Sequence, residues 1–358
     1  MPDPLVSTHR MRTDELLDGL GHGDTAALAR AITLVENRRD GFEAVLAHVH
    51  PRVGARGARR IGVTGPPGAG KSTLTERLVQ RYRSAGLKVA VIAVDPTSPF
   101  TGGALLGDRI RMESVSLDPG VFIRSMATRG SLGGLATTTE EAADVLDAFG
   151  FDRILIETVG VGQTELDIAR TAETTLLVLV PESGDGIQTL KAGVMEIADV
   201  YAVNKSDRPG ADKLRQEVEV MLGIRRGNAF RHVTAHHKAD RRSAGPAVRP
   251  DAAERPAWDP PVLATIATSG DGVPELIDAL DRHRAYLEAS GRLTERRRER
   301  LLERTRQVVE RHLREWLWTE TPARQLAVER LDAMIAGGRN PYDVAAEILD
   351  LLKAGAAQ

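Results

Sequence analysis

Residues 61–73 read IGVTGPPGAGKST. In this stretch a short apolar run is followed by the pattern G-x-x-x-x-G-K-S, which is typical of a phosphate-binding loop between a strand and a helix. Its glycines allow the backbone to curl with N–H groups facing an anion, and the dipole of the following helix points at the same anion. The sequence therefore predicts a polyphosphate site, with Lys71 at the β and γ phosphates and the Ser72 hydroxyl on Mg²⁺. The predicted phosphate-binding residues are Gly65, Pro66, Pro67, Gly68, Ala69, Gly70, Lys71, Ser72 and Thr73.

Further runs along the chain repeat this order of an apolar strand and a helix-length segment. Each run is short and rich in Val, Ile and Leu. Apolar strands that alternate with helices are typical of a mostly parallel sheet that is covered by helices on both faces. We therefore predict a doubly wound α/β fold. The further strands are expected within residues 88–95, 121–128, 153–160, 175–181, 200–207 and 262–269.

The chain begins with a predicted helical region. Residues 13–50 place apolar side chains at helical spacing, which predicts two or three short helices before a Gly/Arg-rich hinge at residues 53–60. The segment 225–260 is rich in Pro, Arg, Ala and His, and we expect a long surface insertion there. The expected buried positions of the first helices are Leu16, Leu17, Leu20, Leu28, Ile32, Leu34 and Val35.

The chain ends in a second predicted helical region, in which charged and apolar residues alternate at helical spacing. Interleaved glutamates favour an ion-paired, solvated face over an RNA-binding or membrane-binding one, so we expect the apolar side to self-associate. Its apolar residues are Leu301, Leu302, Val308, Val309, Leu313, Trp316 and Leu317. The predicted domains are an N-terminal helical extension at 1–55, a P-loop domain at 56–288 and a C-terminal helical arm at 289–358.

Composition excludes several classes of protein. Among the 358 residues, 42% are hydrophobic, which is too much apolar surface for a disordered chain. The net charge of −2 gives no bulk attraction to nucleic acid or to an anionic membrane. The absence of cysteine excludes disulfides, cysteine-ligated metals and a cysteine nucleophile. With neither a signal-like nor a membrane-spanning apolar stretch, the protein is expected to be soluble and cytoplasmic, without nucleic-acid or membrane partners.

A second motif, Asn204-Lys205-Ser206-Asp207, follows the apolar run VYAV and has the N-K-x-D pattern of a guanine clamp. The Asp207 carboxylate can accept both N1–H and N2–H₂ of guanine, whereas adenine would leave it unpaired. Lys205 is expected to lie against the purine face, and Asn204 to tie the loops together. The backbone N–H groups near Ser269 and Gly270 are expected to reach guanine O6. In combination with the phosphate loop, this motif favours GTP.

Acidic residues at strand ends predict the metal site. Asp95 ends one apolar run, Glu157 ends another, and Asp108 opens a later segment. Ligands of open α/β sheets gather at the carboxyl ends of strands, and Mg²⁺ takes oxygen ligands, so these carboxylates are expected near the phosphates with Ser72. A helix N-cap is the alternative role for Asp108. Glu157 stands where GTPases carry the Asp of a D-x-x-G switch, so we expect it to contact Mg²⁺ through water.

Two loops carry the residues that we expect to respond to the γ phosphate. Gly160 and Gly162 give the first loop freedom to move, and Gln163 follows them. The second loop, residues 181–186, precedes a segment with Gln188 and Lys191, and an ordinary strand-to-helix connection is the alternative interpretation. The predicted switch residues are Gly160, Gly162, Gln163, Glu182, Asp185, Gln188 and Lys191.

Several runs, GPPGAGKST, DPTSPFTGGALLGDRIRM, RGSLGGL, ETVGVGQTE and DGIQTLKAGVMEIADVYAVNKSD, resemble the MeaB/ArgK family of P-loop GTPases. The resemblance covers about residues 60 to 222 and resumes at PPVLATIATSGDGVPEL. It implies a chaperone of adenosylcobalamin-dependent acyl-CoA mutases such as methylmalonyl-CoA mutase, in which GTP hydrolysis gates cofactor delivery and protects or rescues the mutase. It also implies a homodimer formed through the C-terminal arm, Mg²⁺ carboxylates at Asp95, Asp108 and Glu157, and a mutase-responsive loop from Glu182 to Lys191.

The expected chemistry is hydrolysis of GTP to GDP and phosphate by positioning and charge neutralisation. The expected catalytic residues are Lys71, which offsets negative charge, and Asp95, which helps to order the attacking water. No arginine finger is assigned, so hydrolysis is expected to be slow alone and faster with the partner. The candidate arginines in loops are Arg109, Arg111, Arg124 and Arg129.

Two other functions stay open on the sequence. One is a nickel-delivery GTPase, in which His232, His236 and His237 of the insertion would bind metal, although no thiol or carboxylate group completes such a site and solvated loop histidines are favoured. The other is a transport-associated ATPase or kinase, a function that has also been assigned to the MeaB/ArgK family.

Overall fold

The computed structural model describes residues 4–95, 112–127, 134–158, 164–181, 192–225 and 257–356. By its internal contacts the chain divides into two compact units, Met1–Leu293 and Thr294–Gln358.

A parallel sheet forms the centre of the first unit, and its seven strands coincide with the seven predicted apolar runs. The strand order is β3-β2-β4-β1-β5-β6-β7: β2 and β3 lie on one side of the central β1, β4 returns to lie between β2 and β1, and β5, β6 and β7 follow one another on the other side. Every pairing between strands is parallel. The predicted α/β fold is therefore confirmed. The strands are β1 Arg59–Thr64, β2 Val89–Asp95, β3 Val121–Ala127, β4 Arg153–Thr158, β5 Thr174–Leu179, β6 Val200–Asn204 and β7 Val262–Thr265.

Helices cover both faces of the sheet. The N-terminal helices are α1 Pro4–Gly21, α2 Thr25–Asn37 and α3 Phe42–Val49. Those between or after the strands are α4 Lys71–Ser84, α5 Glu113–Ser116, α6 Gly134–Phe149, α7 Thr164–Thr171, α8 Ala192–Ile197, α9 Ala211–Arg225 and α10 Val273–Ala289. One face of the sheet packs on α4 and α10, and the other packs on the N-terminal helices, α6, α7, α8 and α9.

The N-terminal helices share a core with the sheet. Leu28 and Ile32 of α2 are fully buried together with Ile92 of β2 and Ile154 of β4. Among the predicted buried positions, Leu16, Leu20, Leu28, Ile32 and Val35 are buried, while Leu17 and Leu34 are partly buried. The predicted N-terminal helices are therefore confirmed.

The predicted hinge at residues 53–60 is wrong at its end. Strand β1 already begins at Arg59, and Arg60 is buried. The Arg60 guanidinium donates to Asp144 Oδ1 at 2.8 Å and to Asp147 Oδ2 at 3.0 Å, both on α6. Burial opposes its charge, yet these two carboxylates raise the pKa of Arg60 above its usual value. The local sequence does not mark Arg60 as a buried strand residue, because the carboxylates that pair with it lie 84 and 87 residues further along the chain.

The predicted surface insertion also ends earlier than expected. Helix α9 continues to Arg225, and residues 226–256 lie outside the described residues. Trp258, inside the predicted insertion, is packed instead: its ring lies 4.8 Å from that of His283, and its N–H donates to the Asp199 carbonyl at 2.7 Å.

The second unit consists of one long helix and three shorter helices, with a small apolar core. Its elements are α11 Arg292–Thr319, α12 Ala323–Glu329, α13 Leu331–Ile335 and α14 Pro341–Ala356. Ala323, Val344 and Ile348 form the core, against which Leu317 packs. Hydrogen bonds from Arg330 and Arg339 lower the pKa of Glu347 to about 2. The predicted helical arm is confirmed. Its exposed large apolar residues include Leu301, Leu302, Val309, Leu313, Trp316 and Trp318.

Within the residues that the structure describes, no helix is both long and apolar enough to cross a membrane.

Candidate nucleotide site

The loop from β1 to α4 is the first part of the site. Lys71, the first residue of α4, is buried, and its Nζ donates to the carbonyls of Gly65 at 2.8 Å and Pro66 at 3.0 Å. The first hydrogen bond that closes the helix runs from the Leu74 N–H to the Gly70 carbonyl at 2.9 Å. The N–H groups at the start of α4 thus precede the helical ladder and face out of its N-terminus, with the positive end of the helix dipole.

Two glycines of this loop are required by close approaches. At Gly65 the φ angle is +140°, and a Cβ would lie 2.1 Å from the carbonyl oxygen of Val178. At Gly70 the φ angle is +83°, and a Cβ would lie 2.5 Å from Nδ2 of Asn204. The glycines at these two positions therefore let the loop pass close to β5 and to the end of β6.

The Ser72 hydroxyl meets Glu157 at the carboxyl end of the sheet. Ser72 Oγ donates to Glu157 Oε1 at 2.5 Å, and Glu157 is 7% exposed. Strand pairing sets this contact, because Glu157 of β4 lies opposite Val63 of β1, just before the loop. The side chains of Ser72 and Glu157 thus present two neighbouring oxygens, which are the donors that Mg²⁺ prefers. The donor set fits the predicted metal.

Asn204 joins the phosphate loop to the loop after β7. It ends β6 and is buried. Its Nδ2 donates to the Ala69 carbonyl at 2.8 Å, and its Oδ1 accepts the Ala267 N–H at 3.0 Å. The Thr265 hydroxyl also reaches Oδ1, at 3.3 Å. One side-chain amide therefore connects two loops that are distant in sequence.

The residues after Asn204 form a turn with polar side chains at the surface. Lys205 has a φ angle of +56°, and its carbonyl accepts the Arg208 N–H at 3.0 Å. The N–H of Ser206 donates to the Thr265 carbonyl at 3.1 Å, which fixes the turn against the end of β7. Lys205 is half-buried and Asp207 is exposed.

The loop after β7 is a tight turn. The Gly270 N–H donates to the Ile266 carbonyl at 2.8 Å, so this turn already uses one of the predicted donors to guanine O6. The Ser269 hydroxyl donates to Asp271 Oδ2 at 2.7 Å. Among the described residues, the N–H groups of Thr268 and Ser269 have no acceptor.

Other predicted residues fall at or beyond the limits of the description. Asp95 is the last residue of β2, where it pairs with Ala127 of β3. Outside the described residues lie Asp108, Gly160, Gly162, Gln163, Glu182, Asp185, Gln188, Lys191, Arg109, Arg111, Arg129, His232, His236 and His237. In the part of the chain that is described, no group of three or more metal-ligating His, Asp or Glu side chains occurs.

Arg124, one of the candidate arginines, lies on β3. It pairs there with Glu36 of α2, and its Nε donates to Glu36 Oε2 at 3.1 Å. This pair holds the side chain toward the N-terminal helices.

Sequence reasoning missed two contributors to this edge of the sheet. The buried hydroxyls of Thr64 and Thr158 hydrogen-bond at 3.1 Å beneath the phosphate loop. Arg77 of α4 donates from Nε to the Ala267 carbonyl at 2.9 Å. Nothing in the local sequence marks Arg77, because its acceptors lie 190 and 191 residues further along the chain.

Comparison with known proteins assigns the family. The model of the family described as methylmalonyl Co-A mutase-associated GTPase MeaB matches residues 28–322. A protein of Pyrococcus abyssi that is named a GTPase is 50% identical over 297 residues, which cover 83% of each chain. The mouse protein named methylmalonic aciduria type A homolog, mitochondrial, is 36% identical over 296 residues, 79% of this chain and 66% of that protein.

A solved structure agrees with these relatives. The crystal structure titled LAO/AO transport system kinase is similar with a TM-score of 0.64 and 28% identity, covering 95% of this chain and 97% of that one. Several relatives are named GTPases, which supports GTPase activity in general terms. The P-loop fold, the match over most of the chain and these relatives agree, and the chain belongs to the family of methylmalonyl Co-A mutase-associated GTPases, MeaB.

Proposed function

We propose that the chain binds GTP with Mg²⁺, hydrolyses it to GDP and phosphate, and thereby gates cofactor loading and protection of an adenosylcobalamin-dependent acyl-CoA mutase. The observation that carries the nucleotide part is the bridge made by Asn204. It joins a phosphate-binding loop, at the Ala69 carbonyl, to the loop after β7, at the Ala267 N–H. The first residue of the N-K-x-D motif thereby contacts the glycine loop, which supports a single ligand bound by both.

At the phosphate end, the groups of the chain neutralise charge. Lys71 donates to two neutral carbonyls, and an anionic phosphate oxygen is a stronger acceptor for an ammonium group than a carbonyl is. Phosphate is therefore expected to displace these contacts and to draw Nζ onto the β and γ phosphates. The N–H groups at the start of α4 then bind the same oxygens and offset the charge that develops during hydrolysis.

Ser72 and Glu157 are proposed to hold Mg²⁺, Ser72 directly and Glu157 through water. Bound there, Mg²⁺ would supply charge neutralisation for the β and γ phosphates. Asp95, at the end of β2, is proposed to help order the attacking water. Asp95 and Asp108 are also proposed as Mg²⁺ carboxylates, as the family resemblance implies. The switch residues between 160 and 191 are proposed to respond to the γ phosphate.

At the base end, Asp207 is proposed to accept N1–H and N2–H₂ of guanine, while the stem of Lys205 covers the ring. Because adenine offers an acceptor at N1 and no amino group at C2, the carboxylate would lose both hydrogen bonds with ATP. Asp207 is exposed in the ligand-free chain, so its desolvation is part of the cost of binding the wrong base.

The partner assignment rests on the family and on the name of a relative. The family is described as mutase-associated, and the mouse relative carries the name of a methylmalonic aciduria protein. We propose a mutase of the methylmalonyl-CoA type as the partner and a homodimer formed through the C-terminal unit, where Leu302 is 74% and Leu313 is 55% exposed. Hydrolysis is proposed to be slow alone and accelerated by the mutase.

Calorimetry with Mg²⁺ and GDP, GTP analogue or ADP tests the nucleotide assignment. We expect tight GDP binding, ADP binding at least about 100-fold weaker, and a shift of Asp207→Asn toward xanthosine diphosphate. Xanthine carries a keto group at C2 in place of the amino group of guanine. The side-chain amide of an asparagine at position 207 can donate to that keto oxygen. Equal binding of ADP would contradict the proposal and favour the transport-kinase function that the similar solved structure is titled for.

The partner is tested by steady-state GTP hydrolysis with and without purified methylmalonyl-CoA mutase. Acceleration by the mutase supports gating, and an unchanged rate contradicts it. Sedimentation of the full chain and of a Leu302→Glu/Leu313→Glu variant tests the dimer, since charges on the apolar side should yield monomers. A full chain that stays monomeric would contradict the dimer.

A further inference from the structure

Arg77 lies on α4, six residues after Lys71, and reaches the loop that follows β7. Its Nε donates to the Ala267 carbonyl at 2.9 Å, and a terminal nitrogen donates to the Thr268 carbonyl at 2.5 Å. The other terminal nitrogen donates to Gln80 Oε1 at 3.0 Å, which fixes the plane of the guanidinium. One side chain thus binds two consecutive carbonyls of the loop.

Because the peptide unit is planar, the hydrogen bonds of Arg77 to two carbonyls also orient the N–H groups of the residues that follow them. In a trans peptide, the carbonyl of one residue and the N–H of the next point in opposite directions within one plane. Fixing the Ala267 carbonyl therefore fixes the direction of the Thr268 N–H, and fixing the Thr268 carbonyl fixes that of the Ser269 N–H. Both N–H groups point away from the guanidinium.

These two N–H groups are the donors that remain in the turn. The Ala267 N–H is bound by Asn204, and the Gly270 N–H is bound by the Ile266 carbonyl. The N–H groups of Thr268 and Ser269 have no acceptor among the described residues. Hydrogen bonds from a cation to the two carbonyls also polarise both peptide units, which strengthens their N–H groups as donors.

We propose that Arg77 is a positioning residue for base selectivity, which aims the N–H groups of Thr268 and Ser269 at the O6 atom of guanine. This rests on the proposed guanine site. Adenine presents an amino group at C6, so two fixed donors there meet a donor and reject it. Arginine is required because its planar fork binds two acceptors at once, whereas a lysine ammonium lacks that fixed geometry.

The experiment compares base analogues that differ at single atoms. Dissociation constants for GDP, 6-thio-GDP and IDP are measured by calorimetry for the wild-type chain, Arg77→Gln and Arg77→Lys. In 6-thio-GDP a sulfur, a weaker acceptor, replaces O6, whereas IDP lacks the 2-amino group that Asp207 is proposed to bind. Arg81→Gln is the matched control, because Arg81 is an exposed arginine of the same helix.

We expect the wild-type chain to prefer GDP over 6-thio-GDP, and both Arg77 variants to lose about 3- to 10-fold of GDP affinity, the worth of one or two neutral hydrogen bonds. The preference for GDP over 6-thio-GDP should fall, and the preference for GDP over IDP should not change. Arg81→Gln should behave as wild type. A purely structural tie would instead weaken all three ligands by one common factor.

The outcomes separate this inference from the proposed function. If the wild-type chain selects GDP over ADP and the Arg77 variants keep the full preference over 6-thio-GDP, the inference is wrong and the proposed function stands. Equal weakening of all three ligands also overturns the inference. Should Arg77→Gln fail to fold, Arg77→Lys keeps the charge and the aliphatic stem and decides the question alone. A wild-type chain that binds ADP as tightly as GDP overturns both.

Discussion

The two ends of the central sheet treat charge differently. At the amino ends of the strands, cations meet anions: Arg60 binds Asp144 and Asp147, and Arg284 binds Glu173. At the carboxyl ends, Lys71 donates to the neutral backbone carbonyls of Gly65 and Pro66. A carboxylate partner is hard to displace, whereas a carbonyl yields to a phosphate. The difference agrees with the proposed function, in which an anionic ligand binds at the carboxyl ends, the open end, whereas ion pairs close the amino ends, the closed end.

Substitution of Arg60 by Met should have the largest effect and lies at the closed end. It leaves Asp144 and Asp147 buried without their cation, which should lower the free energy of unfolding by about 3–5 kcal/mol. Urea denaturation measures this change. GDP affinity of the folded fraction should match wild type, because Arg60 is remote from the nucleotide loops. A loss of affinity without a loss of stability would break the distinction between the two ends.

Substitution of Lys71 by Ala should have the opposite effect, a large loss of GTP hydrolysis with a smaller loss of stability. We expect GTP hydrolysis to fall by about 10²- to 10³-fold, because a fixed cation no longer offsets charge on the phosphates. Stability should change by less than it does in Arg60→Met, since the two hydrogen bonds to Gly65 and Pro66 are made to neutral carbonyls. Single-turnover hydrolysis and urea denaturation measure the two quantities. Unchanged hydrolysis would show that the proposed phosphate site is wrong.

Substitution of Gly70 by Ala tests the contact between the phosphate loop and Asn204 at the carboxyl ends of the strands. The new Cβ would lie 2.5 Å from Nδ2 of Asn204, so it should displace that amide from the Ala69 carbonyl and weaken GDP binding by about 10-fold. Gly86→Ala is the matched control, because its φ of +80° imposes a similar backbone strain with nothing within 4 Å of the Cβ. Calorimetry compares the two. Equal GDP affinity in both variants would show that the approach to Asn204 is irrelevant.

The smallest effect concerns pH at the closed end. Hydrogen bonds from Arg83 and from the Gly120 N–H lower the pKa of Asp118. Since the folded pKa lies below the unfolded one, this carboxylate stabilises the fold above about pH 4 and loses that contribution as pH falls further. At pH 6, Asp118→Asn should lower the free energy of unfolding by no more than about 1 kcal/mol, because solvent screens the pair. At pH 2 the substitution should have little effect, because the carboxylate is then largely protonated. Urea midpoints across this range test it, and parallel curves would contradict it.

Much of the fold could be predicted because its signals are local. An apolar run identifies each strand within a few residues, and the glycine spacing of 65–72 identifies the phosphate loop wherever it occurs. The burial of Arg60 could not be predicted, because its carboxylates lie 84 and 87 residues further on. The same holds for Arg77, whose acceptors are brought to it by the order of strands.

The candidate site illustrates the same limit at the level of single atoms. The N-K-x-D motif predicts a base-reading turn, but the sequence does not tell which N–H groups of the loop after β7 are already used. Gly270 was expected to donate to the base, yet its N–H closes the turn on Ile266. Hydrogen bonding within a turn depends on backbone angles, which residue types restrict without fixing.

The amide of Asn204 has its donor on one loop and its acceptor on the other. Turning the amide over would set donor against donor and acceptor against acceptor at the same moment, so neither contact can be given up separately. The two loops are therefore coupled mechanically through a single rigid group. When a guanosine fragment and a pyrophosphate fragment are offered as separate molecules, binding of either fragment should therefore orient the loop that the other fragment contacts.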